Sequence, residues 1–144
     1  MEAGVLWQKV TRKSSEYGLQ SEITSFVPAK DSESPNVEIM QVTIKNIGSS
    51  KVKITPTAAV PIYGRSADNI RDHRHVTSLL HRIKTTKYGV AVRPTLTFDE
   101  RGHKKNKTTY FVSGITDNGE KPAGFYPIVE KYIGEGGSFE WPEA

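Results

Sequence analysis

The sequence predicts an all-β fold, an antiparallel β-sandwich. Two observations carry this: apolar residues recur at every second position in short runs, and turn-forming residues separate those runs. Met40, Val42 and Ile44 alternate strictly with Gln41, Thr43 and Lys45, and Val52 and Ile54 alternate with Lys51, Lys53 and Thr55. Between the two runs lie Asn46, Gly48, Ser49 and Ser50, residues that accept positive φ or close turns with their side chains. Residues 37–60 therefore read as a β-hairpin.

The other elements follow in order. Residues 19–27 form a weaker strand pattern near the start. Val90, Val92, Pro94, Leu96 and Phe98 fall on one strand face, with Ala91, Arg93, Thr95 and Thr97 on the other. Pro94 has no N–H for a ladder, so this strand is an edge or is bulged there. Residues 99–107 read as a charged loop, and residues 108–116 return as a strand rich in β-branched and aromatic residues. Asp117, Asn118 and Gly119 make a turn. Helical signal is thin. Val76, Leu79, Leu80 and Ile83 match a helical period, which fits one or two turns of helix or equally an irregular crossing. The glycines and prolines after residue 118 predict loops, with one short element near 129–133. One long insertion, between Tyr63 and Tyr88, interrupts the strands; loops of that length in a domain are usually functional.

Composition bounds the function. The chain has 144 residues, enough for one domain, but 35% hydrophobic residues is low for a chain that buries a full core alone. Residues 1–144 are read as belonging to one domain. The chain has no cysteine, which excludes disulfides, thiolate metal sites and cysteine nucleophiles and fits a reducing, cytoplasmic setting. Glu2 interrupts any leader-like start, and no run approaches the ~20 apolar residues of a membrane helix. The formal net charge of +4 is mild. The basic cluster His103, Lys104, Lys105, Asn106 and Lys107 reads as a solvated turn rather than a nucleic-acid patch.

The long insertion gathers Arg65, Asp68, Asn69, Arg71, Asp72, His73, Arg74 and His75. Guanidinium forks, carboxylates, an amide and imidazoles each fix hydrogen bonds in a plane, which suits the vicinal hydroxyls of sugars. The same set equally suits a solvated loop held by internal Arg–Asp pairs. His73 and His75 would share a face on a strand, but no third ligand with a supporting carboxylate is evident, so no metal is expected. There is no nucleophile elbow and no phosphate-cradling glycine loop. Asp68, Asp72, Asp99 and Glu100 could supply paired carboxylates, but nothing sets two of them at a catalytic separation. Trp7, Tyr17, Tyr63, Tyr88, Phe125, Tyr126 and Trp141 are possible sugar-stacking rings, with core packing the default for most of them.

Residues 37–46 resemble the first hairpin of the N-terminal β-sandwich of inverting glycoside phosphorylases, the cellobiose, chitobiose and β-1,2-oligoglucan phosphorylases. Residues 63–69, 72–82 and 94–103 extend the resemblance and look most like the β-1,2-oligoglucan branch. Residues 132–142 are similar to the family's aromatic- and glycine-rich run ending in a proline. The resemblance implies a supersandwich-like domain, here incomplete. It implies a parent enzyme that cleaves β-glucosidic bonds of a glucan oligosaccharide with inorganic phosphate as co-substrate, without another cofactor, and that dimerises. A downstream helical barrel holds that family's catalytic acid and phosphate site, so no catalytic residue is expected here. By position, Arg65, Asp68, Asn69, Arg71, Asp72, His73 and Arg74 become candidate substrate positioners. A stand-alone carbohydrate-binding sandwich module is the alternative. Membrane and nucleic-acid partners are not expected.

Overall fold

A computed structural model describes residues 1–28, 36–60, 62, 81–99 and 102–144. It is all-β with antiparallel sheets and, among the described residues, one short helix. The chain divides into two compact units, Met1–Thr57 and Ala58–Ala144.

The first unit is a four-stranded meander, β1 (Glu2–Gly4), β2 (Trp7–Ser14), β3 (Leu19–Phe26) and β4 (Ile39–Asn46), hydrogen-bonded in that order. The β1–β2 turn places Leu6 at φ 63, a conformation that crowds a Cβ. Leu6→Gly is expected to raise stability by about 0.5–1 kcal/mol, read as the midpoint of urea unfolding. The β2–β3 turn uses Gly18 at φ 60, where a Cβ would also lie 2.9 Å from the Gly48 Cα. The Gly18 carbonyl accepts from the Ile47 and Gly48 N–H groups at 2.8 and 3.1 Å.

Those bonds explain why the predicted 37–60 hairpin does not form. Residues 39–46 are a strand, but their partner is β3, paired from Leu19↔Asn46 to Phe26↔Ile39. The Asn46 amide donates to Ser50 O at 2.7 Å and its Oδ1 accepts from Gly48 N at 2.9 Å. This turn fastens onto the β2–β3 turn instead of folding back along β4, and residues 51–60 pair with no strand among the described residues.

The register sorts the sheet into two faces. One carries Val10, Ile23, Met40, Val42 and Ile44; the other carries the cross-strand Lys9–Glu22 ion pair at 3.0 Å, with Thr11, Thr24, Gln41 and Thr43. The apolar face is not closed: Met40 is 41%, Val42 46% and Ile44 38% exposed.

The second unit contains β5 (His81–Thr85), β6 (Gly89–Pro94), β7 (Leu96–Asp99), β8 (Gly102–Lys105), β9 (Tyr110–Ser113) and the helix α1 (Val129–Ile133). β6 is central in a β5-β6-β9 sheet, and among the described residues β7 pairs with β8 alone. Thr86 closes the β5–β6 turn, its Oγ1 accepting from Tyr88 N and Gly89 N, both at 3.1 Å. Gly89 is needed because a side chain there would collide with the Val112 carbonyl on β9.

The strand predicted over residues 90–98 is broken at Thr95. Pro94 lies beyond the β9 ladder, which ends at Val92↔Tyr110, so β6 is locally an edge where the ladder N–H is missing. Asn106 fills that gap: its amide donates to Pro94 O at 2.8 Å and Thr108 O at 2.6 Å, its Oδ1 accepts from Thr108 N at 3.2 Å, and its backbone N–H donates to Thr95 O at 3.2 Å. Val92, Pro94 and Asn106 are buried, and Val92 is the buried large hydrophobic residue among those described.

Two expectations for this region are corrected. The charged loop at 99–107 and the solvated turn at 103–107 are largely strand, because residues 102–105 pair back onto β7 from Asp99↔Gly102 to Leu96↔Lys105. The long insertion does not run to Tyr88, because β5 occupies its last part, and Ile83, counted toward a helical period, is a strand residue opposite Val92.

The C-terminal expectations hold. Gly119 N–H donates to Thr116 O at 3.0 Å with Gly119 at φ 83, closing the turn at 117–119. The single-turn helix α1 ends on Gly134 at φ 73. Tyr132 packs against Tyr126 at 5.4 Å and Phe139 at 6.3 Å between ring centroids.

Candidate functional site

The seven candidate positioners, Arg65, Asp68, Asn69, Arg71, Asp72, His73 and Arg74, lie outside the described residues, as do His75 and Tyr63. What the structure describes is the element into which that segment feeds. β5 begins at His81, directly opposite Pro94.

The pairing fixes two faces of the β5-β6-β9 sheet. His81, Ile83, Val90, Val92, Pro94, Tyr110 and Val112 share the apolar face, where Val92 and Pro94 are buried. The Nε2 of His81 is buried there and has no hydrogen-bond partner among the described residues. A buried ring nitrogen left unpaired costs about 1–3 kcal/mol.

The opposite face carries Arg82 and Lys84 on β5, Gly89, Ala91 and Arg93 on β6, and Phe111 and Ser113 on β9. Arg82 and Arg93 are directly opposite each other, both exposed. No acidic residue stands on this face of the three strands, and the ion pair found among the described residues, Lys9–Glu22, is in the other unit. Like charges facing each other across a ladder are destabilising. Chemically, two guanidinium forks and an ammonium can hold one tetrahedral anion or the vicinal oxygens of a sugar. Phe111, 53% exposed, stands on the same face with only Ala91 between it and Lys84 in the ladder.

The rings named from sequence are mostly not core. Trp7, Tyr17, Tyr88, Tyr126 and Trp141 are exposed, and Phe125 is half-buried. Trp7 lies over Gly4, where an added Cβ would sit 2.8 Å from its Cε2, and stands opposite Phe26 in the register. Tyr88 holds two cations on its ring, Lys87 at 4.8 Å and Lys121 at 4.4 Å from the centroid. Tyr17 has its hydroxyl pKa raised by a hydrogen bond to Glu16 and by that residue's charge. Among the described residues no three histidine or acidic side chains gather as a metal site, and no helix is long and apolar enough to cross a membrane.

The cationic face escaped sequence reasoning because its members come from three strands whose register the sequence does not show. The alternation of Arg82 and Lys84 around Ile83 was the available signal.

Residues 7–144 match the sequence model of the supersandwich domain of glycosyl hydrolase 94. No curated protein matches the chain.

Proposed function

The chain belongs to the glycosyl hydrolase 94 family through its supersandwich domain, and from that premise we propose that it is the sandwich portion of a cytoplasmic enzyme that reversibly phosphorolyses β-glucosidic bonds. In that reaction a glucan and inorganic phosphate give α-glucose 1-phosphate and a shorter glucan. The match over residues 7–144 to a domain that is a component of glycoside phosphorylases is the observation that carries this reading. The resemblance of residues 63–69 and 94–103 favours a β-1,2-linked glucan.

This portion contributes fold, contacts between two copies of the parent enzyme, and sugar positioning through Arg65, Asp68, Asn69, Arg71, Asp72, His73 and Arg74. It contributes no proton transfer. The apolar face of Met40, Val42 and Ile44 supports a part over a free-standing module, since a complete sandwich covers such a face with its second sheet.

The 144-residue chain, incubated with a β-glucan oligosaccharide and phosphate, is expected to release no α-glucose 1-phosphate in a coupled assay. Turnover by the chain alone would contradict the reading. In the parent enzyme, Arg65→Ala and Asp68→Ala are expected to raise KM for longer acceptors with kcat nearly unchanged, and an unchanged KM would remove these residues from the sugar site.

A further inference from the structure

We propose that the exposed face of β5, β6 and β9 is a binding site for a phosphorylated sugar. Arg82, Arg93 and Lys84 take the phosphoryl group, and Phe111 takes one face of the sugar ring.

The β5–β6 pair holds an electrostatic conflict. Arg82 and Arg93 sit directly opposite each other in an antiparallel pair, with Cα atoms about 4.5–5.5 Å apart. Lys84 follows on the same strand and the same face, opposite Ala91. Three cations thus crowd two adjacent strands, and none of the three strands places a carboxylate on that face to offset them. Two facing arginines repel at a position where almost any uncharged pair would be more stable. An anion between them turns that repulsion into two charge-assisted, fork-shaped contacts.

The shape of the face selects the anion. Ala91 leaves β6 low between the cations and β9, and the Phe111 ring reaches over Gly89, where an added Cβ would lie 2.9 Å from its Cζ. Phe111 stands opposite Ala91 and keeps 53% of its surface exposed. A phosphoryl group on the arginines therefore has the small Ala91 beside it and the exposed face of the Phe111 ring beyond. The C–H face of a pyranose packs on an aromatic ring while its hydroxyls stay in water. A polyanion fits less well, since the cationic patch is three residues wide and bordered by Phe111. A phosphomonoester carries about −1.5 to −2 charge at neutral pH, which matches a pair of arginines.

The same phosphoryl chemistry occurs in inorganic phosphate and in a sugar phosphate. The choice of α-glucose 1-phosphate as the sugar phosphate rests on the phosphorolysis reading; the site itself rests on the register and the exposed ring.

The test is calorimetric titration of the full chain at low salt with four probes: inorganic phosphate, α-glucose 1-phosphate, glucose 6-phosphate and a short single-stranded DNA. α-Glucose 1-phosphate is expected to bind more tightly than phosphate. Arg82→Ala or Arg93→Ala is expected to weaken both by roughly tenfold or more. Phe111→Ala is expected to weaken only the sugar phosphate, by roughly threefold to tenfold.

All three side chains are exposed, so the variants are expected to keep the wild-type circular dichroism. Arg93→Gln adds a readout that ordinary solvated arginines would not give. Without ligand it is expected to melt higher than wild type at low salt, with the difference shrinking as salt is added. Equal binding of phosphate and both sugar phosphates overturns the role of Phe111. Absence of binding, or binding unchanged in Arg82→Ala and Arg93→Ala, overturns the site and leaves the family reading intact. Equal, Phe111-dependent binding of the two glucose phosphates supports the site and counts against the phosphorolysis reading. Tighter binding of the DNA with a steep salt dependence overturns the sugar phosphate in favour of a polyanion.

Discussion

Val42→Lys is expected to leave the unfolding free energy of the chain within about 1 kcal/mol of wild type while reducing its self-association. Val42 sits in the middle of β4, on the apolar face with Ile23 and Val10, and is 46% exposed. A lysine there keeps its ammonium in water and loses only strand preference and partial packing. In a closed core the same substitution would bury a charge and cost several kcal/mol. β4 is also the outer strand of its sheet, and its eight residues carry one charge, Lys45. Such an edge is a template for pairing with a second chain, and a central lysine blunts it. Sedimentation velocity across a concentration series, beside urea unfolding, reads both effects. A loss of stability above about 3 kcal/mol would show that Val42 is covered.

Asn106→Ala is expected to cost about 2–3 kcal/mol, a fall of roughly 5–10 °C in melting temperature. The side chain is 5% exposed and makes three hydrogen bonds where β6 loses its β9 partner. Alanine leaves the Pro94 carbonyl without its side-chain donor in a buried place and opens a cavity beside it. Asn106→Asp separates the hydrogen bonds from the volume. The ionised carboxylate cannot donate to Pro94 O, and burial raises its pKa. Its neutral form can donate, so the variant is expected to be least stable relative to wild type near neutral pH and to recover part of the difference as pH falls toward 4. Melting curves at several pH values check the sign. A pH-independent difference would place residue 106 in contact with water.

Much of the fold could be read from period-two alternation. Met40, Val42 and Ile44 marked β4, Val90 and Val92 marked β6, and β3 and β9 fell within their expected ranges. β1 and β2 were missed because their apolar residues do not alternate. In β2, Trp7 and Val10 point to opposite faces, and the strand is held by its ladder to β3. Residues 51–55 misled in the other direction. Their alternation is as regular as that of β4, yet the Asn46 turn directs the chain onto Gly18 and leaves them unpaired. Residues 102–105 looked like a loop because charge outweighed apolar content. Hairpin geometry and the buried Asn106 make them a strand instead.

The candidate positioners that sequence singled out, from Arg65 to Arg74, lie outside the described residues, and Arg82 joins the cationic face through its register with Arg93. Arg93, Lys84 and Phe111 were not singled out, because cross-strand opposition depends on register, which local pattern does not supply. The exposed rings were misjudged for a different reason. Trp7 stands on the sheet face of the Lys9–Glu22 pair and Tyr88 in the β5–β6 turn, and they are 41% and 49% exposed.

Met40, Val42 and Ile44 stay 41%, 46% and 38% exposed on the apolar face of the first sheet, and heat capacity measures such exposure directly. A closed domain of this length has an unfolding ΔCp of about 2 kcal/mol/K, set mainly by apolar surface exposed on melting. Differential scanning calorimetry of the dilute chain is predicted to give a value well below that, with a broad transition. A sharp two-state transition with the full ΔCp would show a complete core and contradict the account.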